Sequence, residues 1–141
     1  MNRQGIIEFL NKNPMCCLAT EEGKKPRVRG MMIYRADSDG IIFHTGTSKD
    51  LYKQITKNAN VELCFYNLEK GIQVRVEGKA VENKDAGLKK EIIEARPFMK
   101  PWLEQYGEEV LAVFAVKNPV AVIWTMETNF TPKEYIPLFE K

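Results

Sequence analysis

Several groups on which enzymes most often rely are scarce or absent in this chain of 141 residues. Its one histidine, His44, rules out a site with two histidine ligands and an acid–base system of several histidines. Neither a Gly-x-x-x-x-Gly-Lys phosphate loop nor a Gly-x-Gly-x-x-Gly fingerprint occurs. If a chain this poor in reactive side chains has a redox or group-transfer function, we expect a bound cofactor to supply the chemistry.

Cysteine is also sparse, since the chain has only Cys16, Cys17 and Cys64 and no Cys-x-x-Cys pair. Neighbouring residues of a strand point to opposite faces, so Cys16 and Cys17 are poorly placed to bind one metal ion. All three lie in apolar, strand-like stretches. We therefore expect them to be small core residues of a protein in a reducing compartment.

Long apolar runs and strong charge are missing as well. No stretch of about 18 apolar residues occurs, and residues 1–13 do not resemble a secretion signal. The net charge of +2 is too small to indicate nucleic-acid binding. We expect a cytoplasmic protein that binds neither membrane nor nucleic acid, built as a single domain over residues 1–141.

Apolar periodicity and turn residues predict a mainly β protein with some helix. Helices are expected at 2–13, 50–57 and 84–95, and strands at 15–20, 27–36, 41–45, 61–66, 72–81, 110–116 and 120–126. Because tight turns join most strands, the order differs from the strand–helix repeat of a parallel sheet. We expect the first three strands to form a meander, within a closed or nearly closed antiparallel barrel of six to seven strands with flanking helices.

Residues 41–49 run from an apolar strand through a turn rich in Gly, Thr and Ser into a helix. Thr47 and Asp50 have the spacing of a capping box. The free N–H groups of a helix start, together with the positive charge of Lys49, can hold a phosphate. The alternative is an ordinary, well-capped strand–helix connection.

Polar side chains alternate with apolar ones in two predicted strands: Arg27 and Arg29 in the second, Gln73 and Arg75 in the fifth. An arginine fork suits phosphate because it donates two parallel hydrogen bonds. The alternative is that these arginines face solvent and pair with Glu62 or Glu77 across the sheet. His44 also has two interpretations, as a structural histidine or as part of a site.

Taken in order, these segments resemble the pyridoxamine 5′-phosphate oxidase-like family of FMN-binding split barrels. The similarity extends from the leading helix to about Val81, and more loosely through the last two strands. It rests on residues 15–20 with their Leu-Ala-Thr ending, and on 26–32, 43–45, 48–55, 60–65 and 73–80.

The resemblance implies an antiparallel split β-barrel and a homodimer with FMN bound between the subunits. It implies phosphate contacts from Arg27, Ser48 and Lys49, with Lys53 as the alternative lysine. Backbone contacts along the flavin ring are implied for Val28, Arg29, Gly30 and Met31, and contacts to the ring or ribityl chain for His44 and Thr45. Gln73 is implied to reach the flavin from the partner chain or from the adjacent strand.

The chain departs from the family at its end. Pyridoxamine phosphate oxidases end in an Arg-x-His motif that holds the pyridoxal substrate, whereas no histidine follows His44 here. The leading hypothesis is therefore an FMN-dependent oxidoreductase of unknown substrate, similar to a flavin reductase with NAD(P)H as donor, and no catalytic residue is assigned. The alternative is a non-catalytic flavin- or haem-binding storage or sensor protein on the same barrel.

Overall fold

The computed structural model describes residues 1–139, which form four α-helices, eight strands and two single-turn 3-10 helices, Pro97–Met99 and Glu108–Val110. The helices are α1 (Arg3–Lys12), α2 (Asp50–Lys57), α3 (Ala86–Ala95) and α4 (Lys100–Tyr106). The strands are β1 (Met15–Glu22), β2 (Lys25–Met32), β3 (Arg35–Asp37), β4 (Gly40–Gly46), β5 (Asn60–Asn67), β6 (Ile72–Glu82), β7 (Leu111–Trp124) and β8 (Ile136–Pro137). None of these helices combines the length and apolar content needed to cross a membrane.

The strands form one antiparallel sheet in the order β2-β1-β5-β6-β7-β4-β3, with β8 beside β7. β2 and β3 lie at opposite ends of this order although only Ile33 and Tyr34 separate them in the chain. β3 covers only residues 40–42 of β4. The barrel is therefore open between β2 and the second half of β4, which confirms the predicted antiparallel split barrel.

Both antiparallel pairings of the predicted meander of the first three strands are confirmed, but its second strand is broken in two. The expected long strand at 27–36 ends at Met32 and resumes as β3, because the chain crosses here from one end of the sheet to the other. Ile33 N–H donates to the Pro14 carbonyl (3.0 Å), and Tyr34 N–H donates to the Ile42 carbonyl (2.7 Å). β1 pairs with β2, and β3, the last part of the predicted second strand, pairs with β4 as the meander predicts. The other edges of β1 and β4 pair with β5 and β7.

The two predicted strands at 110–116 and 120–126 form one strand, β7, which stays continuous through Asn118 in a left-handed conformation (φ 51°). Opposite this stretch, the register between β6 and β7 shifts around Gly78. A Cβ atom at Gly78 would lie 2.6 Å from Val116 Cγ1. The bulge or close backbone approach that the sequence predicts at Gly78 is confirmed.

Two apolar clusters fix the elements around the split. The barrel interior holds Phe43 stacked on Phe114, with ring centroids 5.6 Å apart, and α1 adds the buried side chains of Ile6, Phe9 and Leu10. A second cluster lies outside β4 and β7, where Leu88 and Ile92 of α3 pack with Met99. Helix α3 begins two residues later than predicted because Asp85, rather than Asn83, caps its first turn.

The cysteines follow the alternation of their strands. Cys16 is buried inside the barrel, and burial raises the pKa of its thiol to about 12. Cys17 is exposed on the outer face of the sheet, so its predicted core position is wrong, and Cys64 opposite it is half-buried. All three thiols are free.

Candidate functional site

The opening of the barrel contains a groove made of two adjoining cavities. One, of about 580 Å³, lies between β2, β4 and the start of α2. The other, of about 410 Å³, continues from it towards α4. Both are lined by a shared strip of Gly30, Met31, His44, Thr45 and Lys49.

The two cavities differ in chemistry and are named accordingly. The polar half is lined, besides the strip, by Glu22, Arg27, Val28, Arg29, Asp50, Leu51 and Gln54. The apolar half is lined, besides the strip, by Met32, Gly46, Arg96, Phe98, Met99, Trp102, Leu103, Val110 and Leu111.

A buried hydrogen-bond network holds Arg29 in the polar half. Arg29 Nη1 donates to Thr20 Oγ1 (2.8 Å) and to the Leu18 carbonyl (3.3 Å), while Nη2 donates to Gln54 Oε1. The Thr20 hydroxyl also donates to Gln54 Oε1 (2.6 Å), and both of these side chains are buried. Burial lowers the pKa of Arg29, although the negative charges of Asp50 and Glu22 oppose this. A guanidinium stays charged even so, and here it is held in one orientation.

Arg27 is held more loosely than Arg29. It lies on the same face of β2 and pairs with Glu22, with 3.0 Å between Arg27 Nη2 and Glu22 Oε1. Hydrogen bonds from Gln54 and Arg27 hold the pKa of the Glu22 carboxyl below its usual value. Ion pairs this exposed contribute little to stability, so an anionic ligand can compete with Glu22 for Arg27.

The predicted capping box at the start of α2 is wrong. The N-cap is Lys49, and no side chain of residues 1–139 caps the helix. Thr47 lies two residues too early in the chain, and its N–H donates to the Val110 carbonyl (2.8 Å). The first-turn N–H groups of α2 therefore lack a side-chain acceptor where Asp50 and Leu51 line the polar half, which favours an anion there.

His44 lies on the strip between the two halves. Arg96 Nη1 is 2.7 Å from His44 Nε2. Because a guanidinium can only donate, Nε2 must accept, and the imidazole is neutral with its proton on Nδ1. Burial, followed by the charges of Arg96 and Lys49, lowers the pKa of His44 to about 4. Engagement of Nε2 by Arg96 also argues against this nitrogen as a haem ligand.

No site role is assigned from the sequence to Arg96 and Gln54, which line the groove, or to Thr20, which lies behind it. Arg96 binds His44 and also donates from Nη2 to the Ile33 carbonyl (2.7 Å), with its guanidinium 5.3 Å from the centre of the Tyr34 ring. Thr20 and Gln54 complete the network around Arg29. The sequence does hold a clue to the role of Gln54. This residue lies in the apolar stripe of α2, where a buried polar side chain needs a hydrogen-bond partner.

The structure brings most of the predicted site residues together. All of them line the groove except two: Ser48 and Gln73. Ser48 is exposed and outside the lining, while Gln73 lines a separate cavity of about 570 Å³ with Arg75 and Trp124. Arg75 Nη1 lies 3.2 Å from Glu62 Oε1, as the alternative interpretation of the strand arginines predicts.

Comparison with known proteins gives the family. A sequence profile of the pyridoxamine 5′-phosphate oxidase family matches residues 4–126. This chain belongs to that family. The pyridoxine/pyridoxamine 5′-phosphate oxidase of Burkholderia mallei is 34% identical over 67 residues, which are 48% of this chain and 31% of that enzyme. The chain thus matches about a third of the length of this curated relative.

Solved structures share the fold over nearly the whole chain. A NimC/NimA family protein from Clostridium acetobutylicum has a TM-score of 0.75 at 24% identity, covering 95% of this chain and 91% of its own. An FMN-binding, pyridoxamine 5′-phosphate oxidase-related protein from Nostoc punctiforme has a TM-score of 0.62 at 16% identity (94% and 88% covered). An FAD-binding protein from Mesorhizobium loti has a TM-score of 0.64 at 13% identity (89% and 96% covered).

Proposed function

We propose that this protein binds FMN and is an FMN-dependent oxidoreductase. The observation that carries the proposal is the groove, in which a polar half lined by Arg27, Arg29 and Lys49 adjoins an apolar half across a strip of strand backbone. The polar half suits a phosphate, and the strip beside it suits a planar ring. A bound flavin would supply hydride or electron transfer, which the side chains of this chain do not provide.

The groove residues divide the binding of FMN between them. Arg27, Lys49 and the uncapped start of α2 would hold the phosphate, with Arg29 fixed behind them. Lys49 is preferred to Lys53, because only Lys49 lines the groove. The strip would hold the flavin, with backbone groups at the open edge of β2 and the Nδ1–H of neutral His44 as polar contacts.

A homodimer would complete this site. The outer face of the sheet exposes large apolar side chains on neighbouring strands, including Met15 (65% exposed) beside the groove and Val28 (69%) at its edge. Gln73 and its cavity lie on the same sheet, three strands away from β2. A second copy packed on this face would cover the apolar side chains and could bring its own Gln73 to the flavin.

The oligomeric state can be measured by light scattering of the eluting protein during size-exclusion chromatography. We expect a dimer for the wild type and a shift to monomer for Met15→Arg, because a charge would then be buried in the interface and Met15 lies outside the groove lining. A monomeric wild-type protein at micromolar concentration contradicts a dimeric site.

Cofactor binding is tested by the visible spectrum of the purified protein. We expect a flavin spectrum and release of FMN on denaturation. A colourless protein that fails to bind added FMN contradicts the proposal, and tighter binding of FAD than of FMN contradicts the choice of flavin.

Enzymatic function is tested by adding NADH or NADPH without air. Bleaching of the flavin by either donor supports a reductase, whereas no bleaching by both contradicts it. The cytoplasmic location remains a prediction from the sequence.

A further inference from the structure

Two aromatic side chains on the wall of the apolar half are exposed to solvent. Phe98 is 57% exposed and Trp102 56% exposed, and their rings meet edge to face with centroids 6.4 Å apart. Large apolar surface exposed beside a cavity is unfavourable in water. A flat apolar ligand that covers these rings would recover that free energy and could stack on them.

The same wall offers almost no charge. Its cations are Arg96 and Lys49. The Arg96 guanidinium already contacts His44 Nε2, the Ile33 carbonyl and the Tyr34 ring. Lys49 belongs equally to the polar half, where the proposed FMN phosphate would use it. A phosphorylated ligand in the apolar half would therefore lose hydration without gaining a free cation of its own.

Size limits the ligand further. The apolar half has a volume of about 410 Å³, and the polar half of about 580 Å³ adjoins it. Both volumes fall in the range of pockets that hold small ligands, roughly 300–1,000 Å³. If the flavin occupies the strip and the polar half, the apolar half is left as a second compartment with room for one or two fused rings.

We propose that the substrate of this protein is an uncharged planar aromatic molecule that binds in the apolar half against Phe98 and Trp102, and that phosphorylated rings are disfavoured there. This inference rests on the proposed flavin site. It assigns α4 and the turn before it to substrate selection, and the barrel opening to the cofactor.

The test uses a matched pair of probes, 1-naphthol and 1-naphthyl phosphate, titrated calorimetrically into protein saturated with FMN. We expect 1-naphthol to bind at least about tenfold more tightly, because the phosphate finds no free cation. Trp102→Ala should weaken 1-naphthol binding by about tenfold, and Phe98→Ala should weaken it in the same direction. Tyr106→Ala is the control, since Tyr106 is exposed on the same helix but does not line the groove.

Three results would overturn the inference: equal or tighter binding of 1-naphthyl phosphate, unchanged 1-naphthol affinity in both aromatic variants, or release of FMN by 1-naphthol. Visible absorbance of the loaded protein separates the two proposals. Protein that takes up no FMN overturns the proposed function and this inference with it. FMN-loaded protein without the preference for 1-naphthol overturns this inference alone.

Discussion

The two halves of the groove are built in different ways. The polar half belongs to the barrel, where Arg29 is fixed by acceptors from β1 and α2. The apolar half relies on helices that pack outside the barrel on a separate apolar cluster, and the exposed rings of Phe98 and Trp102 contact each other edge to face. A fixed network suits a ligand with one defined group, such as a cofactor phosphate, whereas exposed rings suit flat apolar ligands of more than one shape.

The pH dependence of stability tests whether His44, at the junction of the two halves, is held neutral as the structure shows. The pKa of His44 is lowered from 6.5 to about 4 in the folded protein. Below pH 6.5 the unfolded chain therefore binds a proton that the folded protein does not, so stability falls as the pH drops from 6.5 towards 4. The loss from this group is on the order of 3 kcal/mol.

The measurement is the free energy of unfolding of the wild type and of His44→Gln at several pH values. Carboxylates titrate in both proteins, so the difference between the two curves isolates the histidine. We expect the wild type to lose more stability than His44→Gln between pH 6.5 and pH 4. Parallel curves would mean that His44 is not held neutral by Arg96 and burial.

Arg27 separates recognition of phosphate from recognition of the ring. We expect Arg27→Ala to weaken FMN binding by about 10- to 100-fold, the value of a lost charge-assisted hydrogen bond, and to change riboflavin binding far less. Lys25→Ala is the matched control, because Lys25 lies on the same strand outside the groove. Equal losses for FMN and riboflavin would place the phosphate elsewhere.

Gln54 tests the fixed network of the polar half. Gln54→Leu removes the acceptor that Thr20 and Arg29 share, and we expect a loss of about 1–2 kcal/mol in the free energy of unfolding. Lys53→Leu changes an exposed neighbour in the same helix and should have little effect. If urea denaturation gives the same midpoint for both variants, the network does not stabilise the site.

Substitution of Glu22 should give the smallest change among these variants. Because its carboxylate competes with an incoming phosphate for Arg27, Glu22→Gln should tighten FMN binding by about two- to threefold at neutral pH. Riboflavin binding should stay the same. Weaker FMN binding in the variant would show that Glu22 orients Arg27 rather than competing for it.

Local patterns in the sequence predict much of this molecule. Alternation places Arg27 and Arg29 on one face of β2, and the apolar stripe gives the bounds of α2 correctly. Pairing between strands that are distant in the chain is harder to predict from local patterns. The break after Met32 is an example, because it occurs where the chain crosses from one end of the sheet to the other. The contact of Arg96 with His44 joins residues 52 positions apart, and no local pattern predicts it. The capping box is a prediction from residue spacing alone, and it does not form because the Thr47 N–H in the loop before α2 donates to the Val110 carbonyl.

The most direct test of a divided groove is a crystal structure of the protein with FMN. We predict the phosphate within about 3 Å of the Arg27 guanidinium and of the first N–H groups of α2, and the flavin ring along Gly30 and His44 with the apolar half still open beside Trp102. A phosphate seated against Phe98 and Trp102, or FMN bound outside the groove, would contradict the account.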